Sequence, residues 1–267
     1  MKIQNFHKAS SLADAYERLE RSSDAAIIGG GAWMKFSSRT LEEAIDLSGL
    51  GLDAIDERDG VVAIGSMTPL RDIETSDVLK RIFNGILPHA AAQIVGVGLR
   101  NIATIGGSVV GKYGFSDLLG PLLCMDARLE FFKEGEVSLA EFLERKGRTD
   151  DILVSVNIPS KAGCGYFKKV RKTALDFAVL NITITKTDGQ TRIALGSRPA
   201  RAVLAMDAMA VLNGSVDNDE TTIEKAAEKA AEAVRFGDNH RASEAYRKHL
   251  AYVYVRRGLF MLEEGRT

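Results

Sequence analysis

Two glycine-rich turns constrain this chain more than any other feature. The first, Gly29-Gly30-Gly31, follows the short apolar run Ala25–Ile28, and the second lies within Leu99–Ser108. Glycine adopts positive φ and lets the main chain approach a ligand closely, and successive backbone amides form a concavity that binds anions. Taken singly, each turn is more typical of a tight connection in an α/β domain than of a ligand site. As a pair, they predict a site for a pyrophosphate.

The composition excludes several classes of protein. The 267 residues carry a formal net charge of −1, which argues against a nucleic-acid partner. Cys124 and Cys164 are the two cysteines, too few for an iron–sulfur cluster or a structural zinc site held by this chain. We find no signal peptide and no run of eighteen apolar residues, so we expect a cytoplasmic protein without a membrane span.

The pattern of elements predicts an α+β protein with two domains. Ser11, with Asp14 three residues later, is typical of a helix start. Asp188-Gly189 between two alternating runs predicts a β-hairpin. Two helices, at about 223–234 and from about residue 243 past Leu259, close the chain, and a domain boundary is placed near residue 160.

The sequence contains no recognised catalytic motif. The run from Gly29 to Met34 lacks the third glycine of a dinucleotide fingerprint, and a GxxxxGK[ST] loop is absent. The four histidines lack metal-ligand spacing, and no serine or cysteine stands in a nucleophile motif. We therefore predict no catalytic residue and no metal ligand, which suits a protein whose chemistry comes from a cofactor.

Two further features allow both a structural and a functional interpretation. Asp117 either caps a helix or accepts hydrogen bonds from a ribose or adenine. The cationic run Phe167–Lys172 is either a solvated edge strand or the source of one inward lysine placed beside a flavin. The residues alone do not decide which lysine that is.

Nine sequence blocks, in this order, resemble one known family. They are IIGGG, IDLSGL, VVAIGSMTPLRDIE, LRNIATIGGS, SDLLGPLL, DDILVSVNIP, YFKKVRKTALDFAVL, IALGSRPARAV and DNHRASEAYRKHLAYVYVRRGL. The chain is similar, over essentially its whole length, to the FAD-binding medium subunits of molybdenum hydroxylases, the xanthine dehydrogenase and carbon monoxide dehydrogenase group.

The resemblance implies a fold and a division of the chain. Residues 1–160 would form an FAD-binding domain of the vanillyl-alcohol-oxidase-like type, with subdomains at about 1–56 and 57–160 and the cofactor between them. Residues 161–267 would form a C-terminal α+β domain with a small antiparallel sheet and helices.

The resemblance also implies a set of cofactor-binding residues. The set comprises two pyrophosphate loops, two residues that flank the cofactor, one residue that binds the adenosine end, and one lysine beside FAD. They are Ala26, Ile27, Ile28, Gly29, Gly30, Gly31, Ala32 and Trp33; Thr104, Ile105, Gly106, Gly107 and Ser108; Ile94 and Leu153; Asp117; and Lys168.

Ala32-Trp33 depart from the family, which usually has Ser or Thr followed by Asp or His, so backbone amides would hold the phosphates there. Ser108 replaces the family's usual asparagine. We expect noncovalent FAD, because neither loop contains a histidine or cysteine.

The resemblance implies partners as well. A small chain with two [2Fe–2S] clusters would deliver electrons, a large molybdopterin chain would oxidise the organic substrate, and NAD⁺ or another oxidant would accept the electrons. A freestanding flavin oxidoreductase and an assembly subunit that has lost FAD are the alternatives.

Overall fold

The computed structural model describes residues 1–198 and 200–265, and they divide into two compact units. The first unit comprises Met1–Ile73, Gly96–Gly111 and Ala127–Pro159. The second comprises Glu74–Val95, Lys112–Asp126 and the described residues from Ser160 onward. The α+β fold class is confirmed, and the domain boundary near residue 160 stays a prediction.

The first unit begins with a small parallel sheet. Strands β1 (Lys2–Lys8), β2 (Ala25–Ile28) and β3 (Thr40–Asp46) are arranged in the order β1-β3-β2. Helix α1 (Leu12–Arg21) begins as predicted, because the hydroxyl of Ser11 accepts from the amide of Asp14. Its buried face packs on the sheet and holds β2 in place. The glycine turn that follows β2 therefore starts from a fixed position.

The second sheet of this unit is antiparallel. Its strands are β4 (Ile55–Arg58), β5 (Val61–Gly65), β6 (Arg128–Phe131), β7 (Gly135–Ser138) and β8 (Leu153–Pro159). They are arranged in the order β4-β5-β8-β6-β7, so β8 pairs with strands from both sides.

Short helices connect these strands and enter both units. They are α2 (Leu70–Thr75), α3 (Asp77–Arg81), α4 (Ile86–Ala92), α5 (Val97–Arg100), α6 (Ile105–Val110), α7 (Leu119–Cys124) and α8 (Leu139–Glu144).

The second unit contains a four-stranded antiparallel sheet. Strands β9 (Cys164–Val170), β10 (Leu180–Thr187), β11 (Gln190–Gly196) and β12 (Val203–Leu204) are arranged in the order β12-β11-β10-β9. The predicted hairpin is confirmed: Asp188 and Gly189 join β10 to β11 with φ of 48° and 73°, as a two-residue turn requires.

The two faces of this sheet differ in polarity. Helices α9 (Met206–Asn213), α10 (Glu220–Ala233) and α11 (Glu244–Glu263) form an apolar core with one face, to which Ile182 and Ile184 contribute. On the other face Thr185 donates to the carbonyl of Cys124 at 2.9 Å, and β10 and β11 contact α7. In the described part of the chain, no helix has both the length and the apolar character needed to cross a membrane.

Arg247 is fully buried at the start of α11. Its Nε donates to the carbonyl of Val179 at 2.9 Å, and its terminal nitrogens donate to the carbonyls of Gly237 and Ala242 and to Asn239 Oδ1. Burial lowers the pKa of the guanidinium. One planar cation thus ties the loop before α11 to the strand end at β10.

We predict that Arg247→Met lowers the free energy of unfolding by about 3 kcal/mol, because several buried acceptors lose a charged donor together. Urea denaturation of the full chain measures this loss. Lys248→Met, at the exposed neighbouring position, serves as the matched control and is expected to change stability little. An unchanged midpoint for Arg247→Met would contradict the assigned role.

Candidate functional site

The first glycine turn lies directly against the second in the first unit. Gly30 has a φ of 72°, and a Cβ at this position would overlap the carbonyl oxygen of Ile102. A Cβ on Gly29 would overlap Oγ1 of Thr104. Two backbone segments about seventy residues apart in sequence therefore meet at a distance that excludes any side chain at either glycine.

Thr104 links the two turns. As the N-cap of α6, its Oγ1 accepts from the amide of Gly107 at 3.2 Å and donates to the carbonyl of Gly29 at 3.4 Å. The residue is 5% exposed, so water competes little for either bond. Thr104 therefore fixes the position of the first turn relative to the second.

The amides of the second turn are occupied within the protein. Those of Ile105 and Gly106 donate to the carbonyls of Thr68 and Ser66 at 3.0 and 2.8 Å. The amide of Gly107 donates to the Thr104 hydroxyl, as described above, and that of Ser108 donates to the Thr104 carbonyl at 3.1 Å. The second turn thus supports the first, while its own amides donate hydrogen bonds within the protein.

The first turn differs in this respect. Within residues 1–198 and 200–265, the amides of Gly30, Gly31 and Ala32 donate to no acceptor. Gly30 is exposed, and Gly31 and Ala32 are partly exposed. Three successive amides without an internal acceptor are what an anion such as a phosphate requires of a backbone.

The other predicted residues of this unit lie on two of its strands. Ala26, Ile27 and Ile28 lie on β2, which leads into the first turn. Leu153 lies at the start of β8 and is 5% exposed, and the next carbonyl, that of Val154, accepts from the amide of Ser66.

Trp33 follows the free amides and is 42% exposed. Its ring packs edge-on against Phe36 with the ring centroids 5.7 Å apart. Trp33 therefore places a partly exposed indole immediately after these three amides.

Asp117 belongs to the second unit and does not cap a helix. Helix α7 begins at Leu119, its N-cap is Leu118, and the Asp117 carboxylate is engaged elsewhere. Its Oδ2 lies 2.7 Å from Lys169 Nζ, and its Oδ1 accepts from Asn181 Nδ2 at 2.8 Å. The capping interpretation is wrong because two strands of the sheet hold this carboxylate.

The two lysines of β9 lie on opposite faces of the strand. Lys169 points to Asp117, whereas Lys168 Nζ lies 5.4 Å from the ring centroid of Tyr254 on α11. The strand alternation separates them. The structure therefore does not bring Lys168 and Asp117 together. Sequence reasoning missed Lys169, because the period of two in the cationic run separates the two lysines without telling which of them faces Asp117.

Ile94 also belongs to the second unit. It follows α4, is partly buried, and donates its amide to the carbonyl of Ala91 at 3.0 Å. The preceding carbonyl, that of Gln93, accepts from Lys169 Nζ at 3.2 Å. Ile94 and Asp117 are therefore held next to the same lysine.

Two family models match the chain. Residues 1–161 match the FAD binding domain in molybdopterin dehydrogenase, and residues 165–262 match the CO dehydrogenase flavoprotein C-terminal domain.

Individual relatives match nearly end to end. The xanthine dehydrogenase FAD-binding subunit of Escherichia coli is 25% identical over 268 residues, with 92% of this chain and 91% of the relative covered. The nicotine 6-hydroxylase medium subunit of Paenarthrobacter nicotinovorans is 25% identical, with 96% and 97% covered.

The fold has close counterparts among solved structures. A chain of the carbon monoxide dehydrogenase from Hydrogenophaga pseudoflava superposes with a TM-score of 0.89 at 23% identity, covering 99% of this chain and 98% of that one. With family models spanning both halves, the chain belongs to the FAD-binding subunit family of the molybdopterin dehydrogenases.

Proposed function

We propose that this chain is the FAD-binding electron-transfer subunit of a heteromeric molybdenum hydroxylase, taking electrons from the [2Fe–2S] clusters of a small partner chain and passing them to NAD⁺ or another acceptor. A large molybdopterin chain would oxidise the organic substrate. The chemistry that FAD supplies is storage of an electron pair. Relatives named as medium subunits support the partners.

The observation that carries the proposal is the set of free amides at Gly30, Gly31 and Ala32. These amides face no acceptor among the described residues, and the neighbouring Gly29 leaves the space that a Cβ would fill. A diphosphate, which carries only acceptors, fits such a set of donors. The residues present are therefore suited to FAD.

In this arrangement the first turn binds the cofactor phosphates, and the second turn holds the first turn in position. Backbone amides hold phosphate without a charged side chain, so we propose that noncovalent FAD is anchored at Gly30–Ala32. Thr104 and the engaged amides after it keep that turn in place. In the second unit, Asp117 and Ile94 are the proposed contacts, and Lys168 stays a proposal from the resemblance alone.

We expect the purified full chain to bind FAD, and Gly30→Ala to weaken the affinity at least tenfold, because a Cβ there meets the Ile102 carbonyl at positive φ. Trp33, the single tryptophan, allows the titration to be followed by quenching of its fluorescence. The matched control is Gly60→Ala, which has a φ of 76° but nothing within 4 Å of the added Cβ.

A wild-type chain that binds no FAD would overturn the proposal and favour the assembly-subunit alternative. Equal FAD affinity for Gly30→Ala and Gly60→Ala would remove the first turn from the site. Substrate oxidation by this chain alone, without partner chains, would favour the freestanding oxidoreductase instead.

A second prediction concerns Thr104. Thr104→Val removes the bonds to Gly107 and Gly29, and we expect FAD to bind five- to tenfold more weakly, equivalent to about 1 kcal/mol. Thr104→Ser keeps the hydroxyl and is expected to bind nearly as tightly as the wild type. Isothermal titration with FAD measures both, and a valine variant with wild-type affinity would contradict the linking role.

A further inference from the structure

The ion pair between Lys169 and Asp117 joins three stretches of the second unit. Lys169 Nζ lies 2.7 Å from Asp117 Oδ2 and donates to the Gln93 carbonyl at 3.2 Å. The two charged side chains are only 5% and 7% exposed. One ammonium on β9 therefore holds both the end of α4 and the segment that precedes α7.

The second oxygen of Asp117 is held from the neighbouring strand. Asn181 Nδ2 on β10 donates one hydrogen to Asp117 Oδ1 at 2.8 Å. The Ser116 carbonyl at 3.2 Å and Ser197 Oγ at 3.0 Å both lie within hydrogen-bond distance of the same nitrogen and share its second hydrogen. A carboxylate and a carbonyl can only accept, so the amide orientation is fixed. With partners on both oxygens, the Asp117 carboxylate is locked in one orientation.

The Gln93 carbonyl receives a second cation. Arg171 follows the end of β9, two residues beyond Lys169, and its Nη1 donates to this carbonyl at 3.3 Å while its Nη2 donates to Gln93 Oε1 at 2.9 Å. Cations at the carboxyl end of a helix are favourable. The turn leading to Ile94 is thus held by the same strand that holds Asp117.

Stability alone does not require this pair. Two buried charges are costly to desolvate, and well-packed apolar side chains often replace such a pair without loss of stability. Fixing an orientation, by contrast, needs directional partners of the kind that Lys169 and Asn181 provide. The geometry of the pair is therefore better suited to orienting Asp117 than to holding the unit together.

We propose that Lys169 is a positioning residue for FAD binding: it fixes Asp117 and the Gln93–Ile94 turn in the arrangement that contacts the cofactor. This inference rests on the proposed function. It assigns to Lys169 a role distinct from that of Lys168, whose ammonium lies over Tyr254 on the opposite face of β9.

The test compares FAD affinity with stability in four full-length variants. They are Lys169→Met, Asp117→Asn, the double variant, and Lys186→Met, the last serving as the matched control because Lys186 pairs with Glu263 in the same unit at a partly exposed position. FAD titration gives the dissociation constant, and urea denaturation of the apoproteins gives the stability.

We expect each single variant at Lys169 or Asp117 to bind FAD at least tenfold more weakly than wild type. The double variant leaves no unpaired buried charge, so its stability recovers relative to Lys169→Met, but its FAD affinity stays low. Lys186→Met keeps wild-type affinity. Asp117→Asn, which is nearly isosteric, shows whether FAD binding depends on the carboxylate that Lys169 holds, even if Lys169→Met fails to fold; wild-type affinity in this variant would leave Lys169 nothing to position.

Recovery of both stability and FAD affinity in the double variant would overturn the positioning role and leave the pair purely structural. Wild-type affinity in the single variants would also overturn it while leaving the proposed function intact. A wild-type chain that binds no FAD is the separate outcome that overturns the proposed function together with this inference.

Discussion

The close approach of backbone at Gly29 and Gly30 is the constraint on which the first unit's candidate site depends. The turn after β2 can lie against Ile102 and Thr104 only because no Cβ intervenes. That contact lets the Thr104 hydroxyl hold the turn, and it leaves three amides without an acceptor among residues 1–198 and 200–265. These exposed or partly exposed donors can meet water or a ligand, which is why the proposed phosphate site is placed at this turn.

In the second unit, directional bonds hold buried charged and polar side chains in place between the sheet and the segments packed on it. Arg247 is satisfied by carbonyls and an amide oxygen, whereas Lys169 and Asp117 satisfy each other. In both cases directional bonds hold loops and helix ends against strands. The apolar face of the same sheet forms a core with α9, α10 and α11, and the opposite face places Lys169 and Asn181 beside Asp117.

Local sequence chemistry predicted local structure well. The Ser11 cap and the Asp188-Gly189 hairpin formed as expected, because each depends on residues only a few positions apart. The glycine turns and the order of motifs were enough to identify the family and the cofactor. Asp117 was harder: its short-range neighbours suggested a helix cap, but its actual partners, Lys169 and Asn181, lie more than fifty residues away.

The sequence by itself determined that this is an α+β chain of a flavin-binding family with glycine turns in the right order. Only the tertiary structure decided which turn has amides available to a ligand. In the second turn, the amides of Ile105 and Gly106 donate to the carbonyls of Thr68 and Ser66, which lie far from them in sequence. The tertiary structure also decided which lysine of β9 meets Asp117, because strand alternation gives two neighbouring lysines opposite directions without saying which face the carboxylate will occupy. Both facts depend on long-range packing.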